Sequence, residues 1–308
     1  MNLAVLNPVG EIAAQEKSLM ITVVLLMLVV VVPVVIMVFW FAWKYRASSV
    51  KAKYTPNWEH NTWLEVIWWG IPSIIVAVLA TITWITTHKL DPYRPLDSKE
   101  KPVEIQVVAL DWKWLFFYPE YNIATVNHIQ IPVGRPINFR ITADAPMNSF
   151  MIPQLGGQIY AMQGMETKIH LIAEKSGEFD GYSANYSGHG FSGMHFKVNA
   201  ESEEEFQIWI QKVKQHGTYL TKELYYSSLL PPTKNNKVEY YSKFDNTLFE
   251  HILKKYLMSH DMSHGKEHSD VIDSSSHHHS HHGSDYTLEE HKKDLMHVAE
   301  YYKHTGHH

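Results

Sequence analysis

Two long uncharged stretches dominate the N-terminal third of the chain. Ser18 to Trp43 is 26 residues without a charged side chain. A helix of that length rises roughly 39 Å at about 1.5 Å per residue, more than the roughly 30 Å of a bilayer core. Val66 to Thr87, 22 residues, is also free of formal charge and long enough to cross. Apolar residues cover all faces of both stretches, unlike a half-buried soluble helix. Pro33 and Pro72 are tolerated in membrane helices, where neighbours re-satisfy the freed carbonyls. The first stretch is far longer than the roughly 7 to 15 apolar residues of a cleaved signal peptide.

Between the stretches lie Lys44, Arg46, Lys51 and Lys53 against Glu59, whereas Lys17 ahead of the first is opposed by Glu11 and Glu16. Short basic loops stay cytoplasmic. The N-terminus and everything after about His88 are therefore predicted on the other side, periplasmic in a two-membrane bacterium. Seven of the ten tryptophans fall between Trp40 and Trp84, and their amphipathic rings suit anchoring at the span ends.

After Asp91 the pattern changes to short β-rich runs separated by turn residues: VEIQVVAL, KWLFFY, IATVNHIQI, INFRITA, KIHLIA and MHFKV. This length and spacing predict an antiparallel sandwich or barrel of about 110 residues. From Glu201, ESEEEFQIWIQKVKQH begins acidic, ends basic and spaces Phe206, Trp209, Ile210 and Val213 as an amphipathic helix. A further helical piece is predicted from Phe244 to Met258, and the last 40 or so residues, without sustained apolar period, are expected to be disordered. The chain thus divides into an outer segment 1–17, a helical hairpin 18–88, a sandwich 89–200, a helical extension 201–260 and a His-rich tail 261–308.

Composition narrows the chemistry. A length of 308 residues suits about two domains. A net charge of -5 without a basic stripe argues against a nucleic-acid partner. The absence of cysteine excludes disulfides, thiolate-held zinc or copper, iron–sulfur clusters and thiol nucleophiles.

Four motifs add a resemblance. HNTWLEVIWWGIP (His60 to Pro72), Asp111-Trp112-Lys113-Trp114, MNSFMIPQLGGQIYAMQGM (Met147 to Met165) and YSANYSGHGFSGMHF (Tyr182 to Phe196) together resemble subunit II of the haem-copper terminal oxidases, in the version of the cytochrome bo-type ubiquinol oxidases. LNPVGEIAAQEKSLM near the N-terminus and FAWKYRAS at 41–48 resemble the same branch, so the likeness covers roughly residues 2–260. It implies a two-span transmembrane α-helical hairpin followed by an all-β cupredoxin-like sandwich, with C-terminal helices and a disordered tail. Subunits of this branch carry a lipidated cysteine at the mature N-terminus, a place held here by Met1.

The cytochrome c-oxidising branch of the family binds two copper ions in its sandwich. The resemblance puts Asn148 and Met194 at the two histidine places, Tyr186 and Gly190 at the two cysteines, Lys197 at the methionine and Gly188 at the glutamate whose carbonyl completes the site. Soft thiolates are what make such a site bind, so neither a metal nor a catalytic residue is expected in this chain; His189 and His195 lie nearby but off register. Restoring the ligands is expected to return copper if the loop geometry persists. Without that electron inlet, cytochrome c is not expected as a partner. The resemblance implies instead an oxidase subunit I carrying haem b, haem o and copper, which oxidises ubiquinol, reduces oxygen to water and moves protons outward. Further small membrane subunits and the lipid of the bacterial inner membrane complete the expected surroundings.

Glu65 matches the family glutamate at the mouth of a proton-uptake path, and an acid beside the first apolar turn is costly unless solvated or functional. The plainer alternative is an acid that favours the positive end of the helix dipole. Trp68, Trp69, Trp112 and Trp114 are the candidate subunit-interface residues. Fourteen of the 21 histidines lie between His251 and His308. That tail reads as a solvated low-complexity segment, with copper buffering as the sharper alternative, since imidazole binds several metals with little selectivity. Two other functions stand beside the oxidase subunit: a membrane-anchored copper carrier presenting this tail, and a cytochrome c oxidase subunit II that has lost its copper. Removing the residues after about Asp261 separates the first, because only the carrier would lose its function.

Overall fold

The computed structural model describes residues 4–46, 60–96, 98 and 100–265, without the side chains of 257–265. Lys51, Lys53 and the expected disordered tail beyond residue 265, with most of its histidines, lie outside the described residues. Helix α1 (Glu11–Lys44) and helix α2 (Thr62–Lys89) run unbroken through Pro33 and Pro72, and their most apolar windows bury nothing within the chain. Polar side chains in them close on the preceding turn. The hydroxyls of Thr22, Ser73 and Thr81 donate to the carbonyls of Ser18, Trp69 and Ala77 at 2.9, 2.7 and 2.9 Å, as a hydrocarbon solvent requires. Asn61 caps α2, its side-chain oxygen accepting from the N–H groups of Trp63 and Leu64 at 3.1 and 3.2 Å.

Helix α1 starts at Glu11, well ahead of the uncharged stretch, because its first turns have a protein surface to pack on. The Val9 N–H donates to the Gln154 carbonyl at 2.8 Å, the Ala13 N–H to that of Leu155 at 3.3 Å, and the Glu174 N–H to that of Val9 at 2.9 Å. Gly10 permits the approach, since a Cβ there would lie 2.4 Å from the Ile172 carbonyl oxygen.

The sandwich has two sheets. One runs in the order β11 (Thr218–Leu220), β12 (Glu239–Phe244), β3 (Ile123–Val126), β2 (Lys113–Tyr118), β1 (Val103–Leu110), β5 (Ile137–Ala143), β8 (Thr167–Leu171). The other runs β4 (His128–Pro132), β10 (His195–Glu201), β9 (Gly177–Ser183), β6 (Asn148–Ile152), β7 (Gly156–Ala161). The sheets are mixed rather than purely antiparallel: β1 pairs with β5, β4 with β10 and β11 with β12 in parallel. The apolar run IATVNHIQI is divided between β3 and β4, which belong to different sheets. Asn127 turns the chain there at φ 55°, a left-handed conformation that a short amide side chain tolerates. Its Oδ1 accepts from the Trp114 N–H at 2.8 Å, which fixes the corner.

Trp114, Phe116, Phe150 and Phe196 fill the space between the sheets, with the last two rings stacked at 5.2 Å. Strand β2 is buried on both faces. Leu115 and Phe117 point away from the inter-sheet core and pack against Tyr225, Phe244, Leu248, Phe249 and Ile252 of the C-terminal extension. A strand covered on both sides has no solvent face, hence the absence of polar alternation in KWLFFY. Helix α3 (Glu203–His216) follows a capping box of Ser202 and Glu205 and buries Phe206, Ile210 and Val213. One helical turn, α4 (Lys222–Leu224), precedes helix α5 (Leu248–Gly265).

His128 joins these layers, its ring 5.6 Å from that of Tyr240 on β12 and 6.0 Å from that of Trp209 on α3. Burial pushes its imidazole down to about 4. The fold therefore prefers neutral His128. That preference has no effect above the unfolded value of about 6.5, and as pH falls from there towards about 4 it removes up to about 3 kcal/mol of stability. His128→Phe is expected to flatten this acid limb, so that Tm falls less between about pH 7 and pH 4 than in the wild type. Equal slopes in thermal unfolding would contradict the assignment.

Candidate functional site

Glu65 stands in the first turn of α2, its Oε1 3.3 Å from Nδ1 of His60 and its side chain 57% exposed. Its backbone N–H donates to the Asn61 carbonyl at 3.0 Å, so the helix cap sets where the carboxylate sits. His60 carried no signal in the sequence, because it precedes the cap and shares no helix face with Glu65. An exposed carboxylate beside an imidazole can exchange protons with bulk water at the end of a span.

The tryptophans separate into distinct environments. Trp68 and Trp69 remain 67% and 75% exposed on α2, open to lipid or to another helix. Trp114 is a correction to the interface set. It is wholly buried in the sandwich, with ring centroids 5.4 Å from Phe150 and 5.8 Å from Phe196, and leaves no face for another subunit. Trp112 is half-buried at the β1–β2 turn, in a left-handed conformation at φ 62°. Its Nε1 donates to the Ser187 carbonyl at 3.0 Å, and this bond ties the turn to the loop between β9 and β10.

That loop, the start of β6 and β10 hold the places that the resemblance assigns to the copper ligands. Asn148 is buried, accepts from Ser183 Oγ at 2.9 Å and donates to the Pro146 carbonyl at 2.8 Å. Lys197 pairs with Asp180 at 2.7 Å and Glu178 at 2.9 Å, which hold its ammonium above the usual lysine range. Met194 is buried and Tyr186 lies exposed against Phe191. Gly190 lies beneath the indole of Trp112, so close that a Cβ there would be 2.2 Å from Cδ2 of that ring. An amide, a phenol, a bare backbone, one thioether and a salt-bridged ammonium do not fit two copper ions. Among the described residues no group of three or more His, Cys, Asp or Glu could hold a metal ion.

A buried polar cluster had no counterpart in the sequence reading. Asp144, just beyond β5, is buried and accepts from Tyr225 at 2.7 Å, Lys255 at 2.8 Å and Tyr256 at 2.5 Å. Burial and the neighbouring Asp144 push the Tyr225 phenol well above its usual range. Its three partners lie 81 to 112 residues downstream, and no local spacing could announce it. Nearby, Lys113 is buried, donates to Thr233 Oγ1 at 2.7 Å and the Pro231 carbonyl at 3.1 Å, and is pushed down to about 8 by burial. Both clusters clamp the C-terminal extension onto the sandwich.

Known proteins match each of these parts. The family model described as cytochrome c oxidase subunit II, periplasmic domain, matches residues 118–201, and the one described as the COX aromatic rich motif matches residues 214–260. The cytochrome bo(3) ubiquinol oxidase subunit 2 of Pseudomonas putida is 55% identical over 255 residues, 83% of this chain and 81% of the relative. Its counterpart in Pseudomonas aeruginosa is 52% identical over 255 residues, 83% of this chain and 77% of the relative. The ubiquinol oxidase subunit 2 of Acetobacter aceti is 47% identical over 256 residues, 82% of this chain and 83% of the relative.

Proposed function

Since this chain belongs to the subunit 2 family of the haem-copper ubiquinol oxidases, we propose that it supports, in a bacterial inner membrane, a partner subunit I that oxidises ubiquinol and reduces oxygen to water. In this reading haem b, haem o and copper belong to that partner, and this chain takes no electrons. The observation that carries it is the copper-ligand loop, where Trp112 fills the space over Gly190 and Lys197 is held by two carboxylates. Without thiolate ligands there, a cytochrome c-type donor has no inlet through the sandwich. A membrane-soluble quinol, reaching the partner directly, fits that arrangement.

The spans support the same reading. Their exposed apolar faces must be covered by lipid or by other helices, and a larger polytopic subunit supplies both cover and chemistry. The basic loop between them is placed on the cytoplasmic side and the sandwich on the outer side. The sandwich, stiffened by its C-terminal extension, then caps subunit I. Glu65 lies on the cytoplasmic side, from which protons for oxygen reduction are drawn, and with His60 it gathers them at the mouth of a path continued in the partner.

Glu65→Ala is expected to slow quinol-driven oxygen consumption several-fold, with haem content and assembly unchanged, while Glu65→Asp keeps part of the rate. Turnover of the purified complex at matched haem content is the measurement. An unchanged rate in Glu65→Ala would reduce the residue to a helix-dipole partner.

A further inference from the structure

The outer ends of α1 and α2 meet the edge of the sandwich around a cavity of about 550 Å³. Glu11 and Glu16 enter its wall from the first turns of α1, Lys89 from the last turn of α2, and Arg94 from the loop that follows. Ile12 and Leu90 add apolar surface to the same wall. Charges of both signs therefore face one space. They do not neutralise one another: among the described residues neither Lys89 nor Arg94 has an ion pair. Glu16 lies beside the backbone of Gly157 and Glu11 accepts from the Gln15 side chain at 3.0 Å, so among the described residues both carboxylates have neutral neighbours and no ion pair. A further wall carboxylate, Asp91, is turned back on the Tyr93 N–H at 2.9 Å.

The position of the cavity limits what can fill it. On the membrane-spanning reading of α1 and α2, both helices leave the bilayer there on the sandwich side, which puts the cavity at the depth of the lipid headgroups. We infer that the cavity binds the headgroup of a zwitterionic phospholipid with a primary ammonium, of the phosphatidylethanolamine class. Its phosphate lies between Lys89 and Arg94, its ammonium reaches Glu16 and Glu11, and its acyl chains leave past Ile12 and Leu90 into the bilayer. A phosphate attracts two cations that have no ion pair among the described residues, and a compact ammonium supplies three N–H donors to carboxylates whose described neighbours are neutral. One ligand carrying both charges thus completes both halves of the wall. The inference rests on the membrane-spanning reading of α1 and α2 and is independent of the copper loop.

The test uses the intact oxidase complex, washed in mild detergent and examined by native mass spectrometry, with haem content as a separate readout of assembly. The wild type is expected to retain one phosphatidylethanolamine more than Lys89→Ala/Arg94→Ala, and Lys89→Arg/Arg94→Lys is expected to keep it. After delipidation, mixed micelles of phosphatidylethanolamine should refill the wild type at least tenfold more readily than the alanine variant. Glu16→Gln should narrow the preference over phosphatidylcholine, whose quaternary ammonium has no N–H. Equal retention in wild type and alanine variant at matched haem content would overturn the inference. So would inorganic phosphate competing as well as the lipid, which would mark a simple anion site. A complex that lost haem along with lipid in the arginine–lysine exchange would also overturn it, by showing that these residues serve subunit assembly.

Discussion

Asp144→Ala is expected to loosen the C-terminal extension from the sandwich and to destabilise the sandwich by ~3–5 kcal/mol, the usual consequence of leaving one member of a buried ion pair behind. Lys255 would lose its carboxylate partner at a site where its side chain is 3% exposed. Tyr225 and Tyr256 would lose their shared acceptor at the same time. The covered face of β2 would then have a weaker lid, although Leu115 and Phe117 would still pack against Phe244 and Phe249. Faster proteolysis of the extension and a lower Tm of the assembled complex are the readouts. Asp144→Leu combined with Lys255→Met should recover much of the loss, because an apolar pair leaves no uncompensated charge. Wild-type proteolysis and Tm in Asp144→Ala would show that the cluster holds nothing in place.

Restoring the copper ligands is expected to fail while Trp112 remains. Asn148→His, Tyr186→Cys, Gly190→Cys, Met194→His and Lys197→Met together supply the side-chain donors, and the backbone carbonyl at Gly188 is already present. Yet the cysteine Cβ at position 190 would stand 2.2 Å from the Trp112 ring. The ring cannot easily swing aside: its Nε1 is bonded to the Ser187 carbonyl at 3.0 Å and its backbone sits at φ 62°. Overpacking of this kind costs about 1–3 kcal/mol and displaces the ligand it crowds. Adding Trp112→Gly, the residue best suited to that backbone, should raise copper uptake at least tenfold over the ligand set alone. Copper bound stoichiometrically with Trp112 in place would show that the loop still has the geometry of a copper site. The sequence-based expectation that copper returns holds only if the loop geometry persists, and the indole over Gly190 bears on that condition.

The two candidate spans were legible because a bilayer demands long uncharged helices, and stretches of 26 and 22 such residues form helices that bury nothing within the chain. The early start of α1 was not. Its first turns are charged, and they are helical because Gly10 and Ala13 meet the backbone at Gln154 and Leu155, far along the chain. Strand boundaries were legible where a turn residue separated apolar runs and failed at Asn127, where a single residue moves the chain between sheets without a break in hydrophobicity. Trp114 resembled Trp112 in the sequence, two places apart on one aromatic motif. The turn between β1 and β2 ends between them, so one ring enters the core and the other lies over the loop. Glu65 was singled out by its motif, whereas His60 and Asp144 take their surroundings from caps and long-range contacts that no periodicity encodes.

Oxygen consumption by the purified complex, driven in parallel by ubiquinol and by reduced cytochrome c, decides whether this chain lacks an electron inlet. Turnover is expected with ubiquinol and none above background with cytochrome c. Paramagnetic resonance of the same sample should show no mixed-valence copper pair. Cytochrome c-driven turnover accompanied by that signal, in a complex containing this chain, would contradict the quinol oxidase reading.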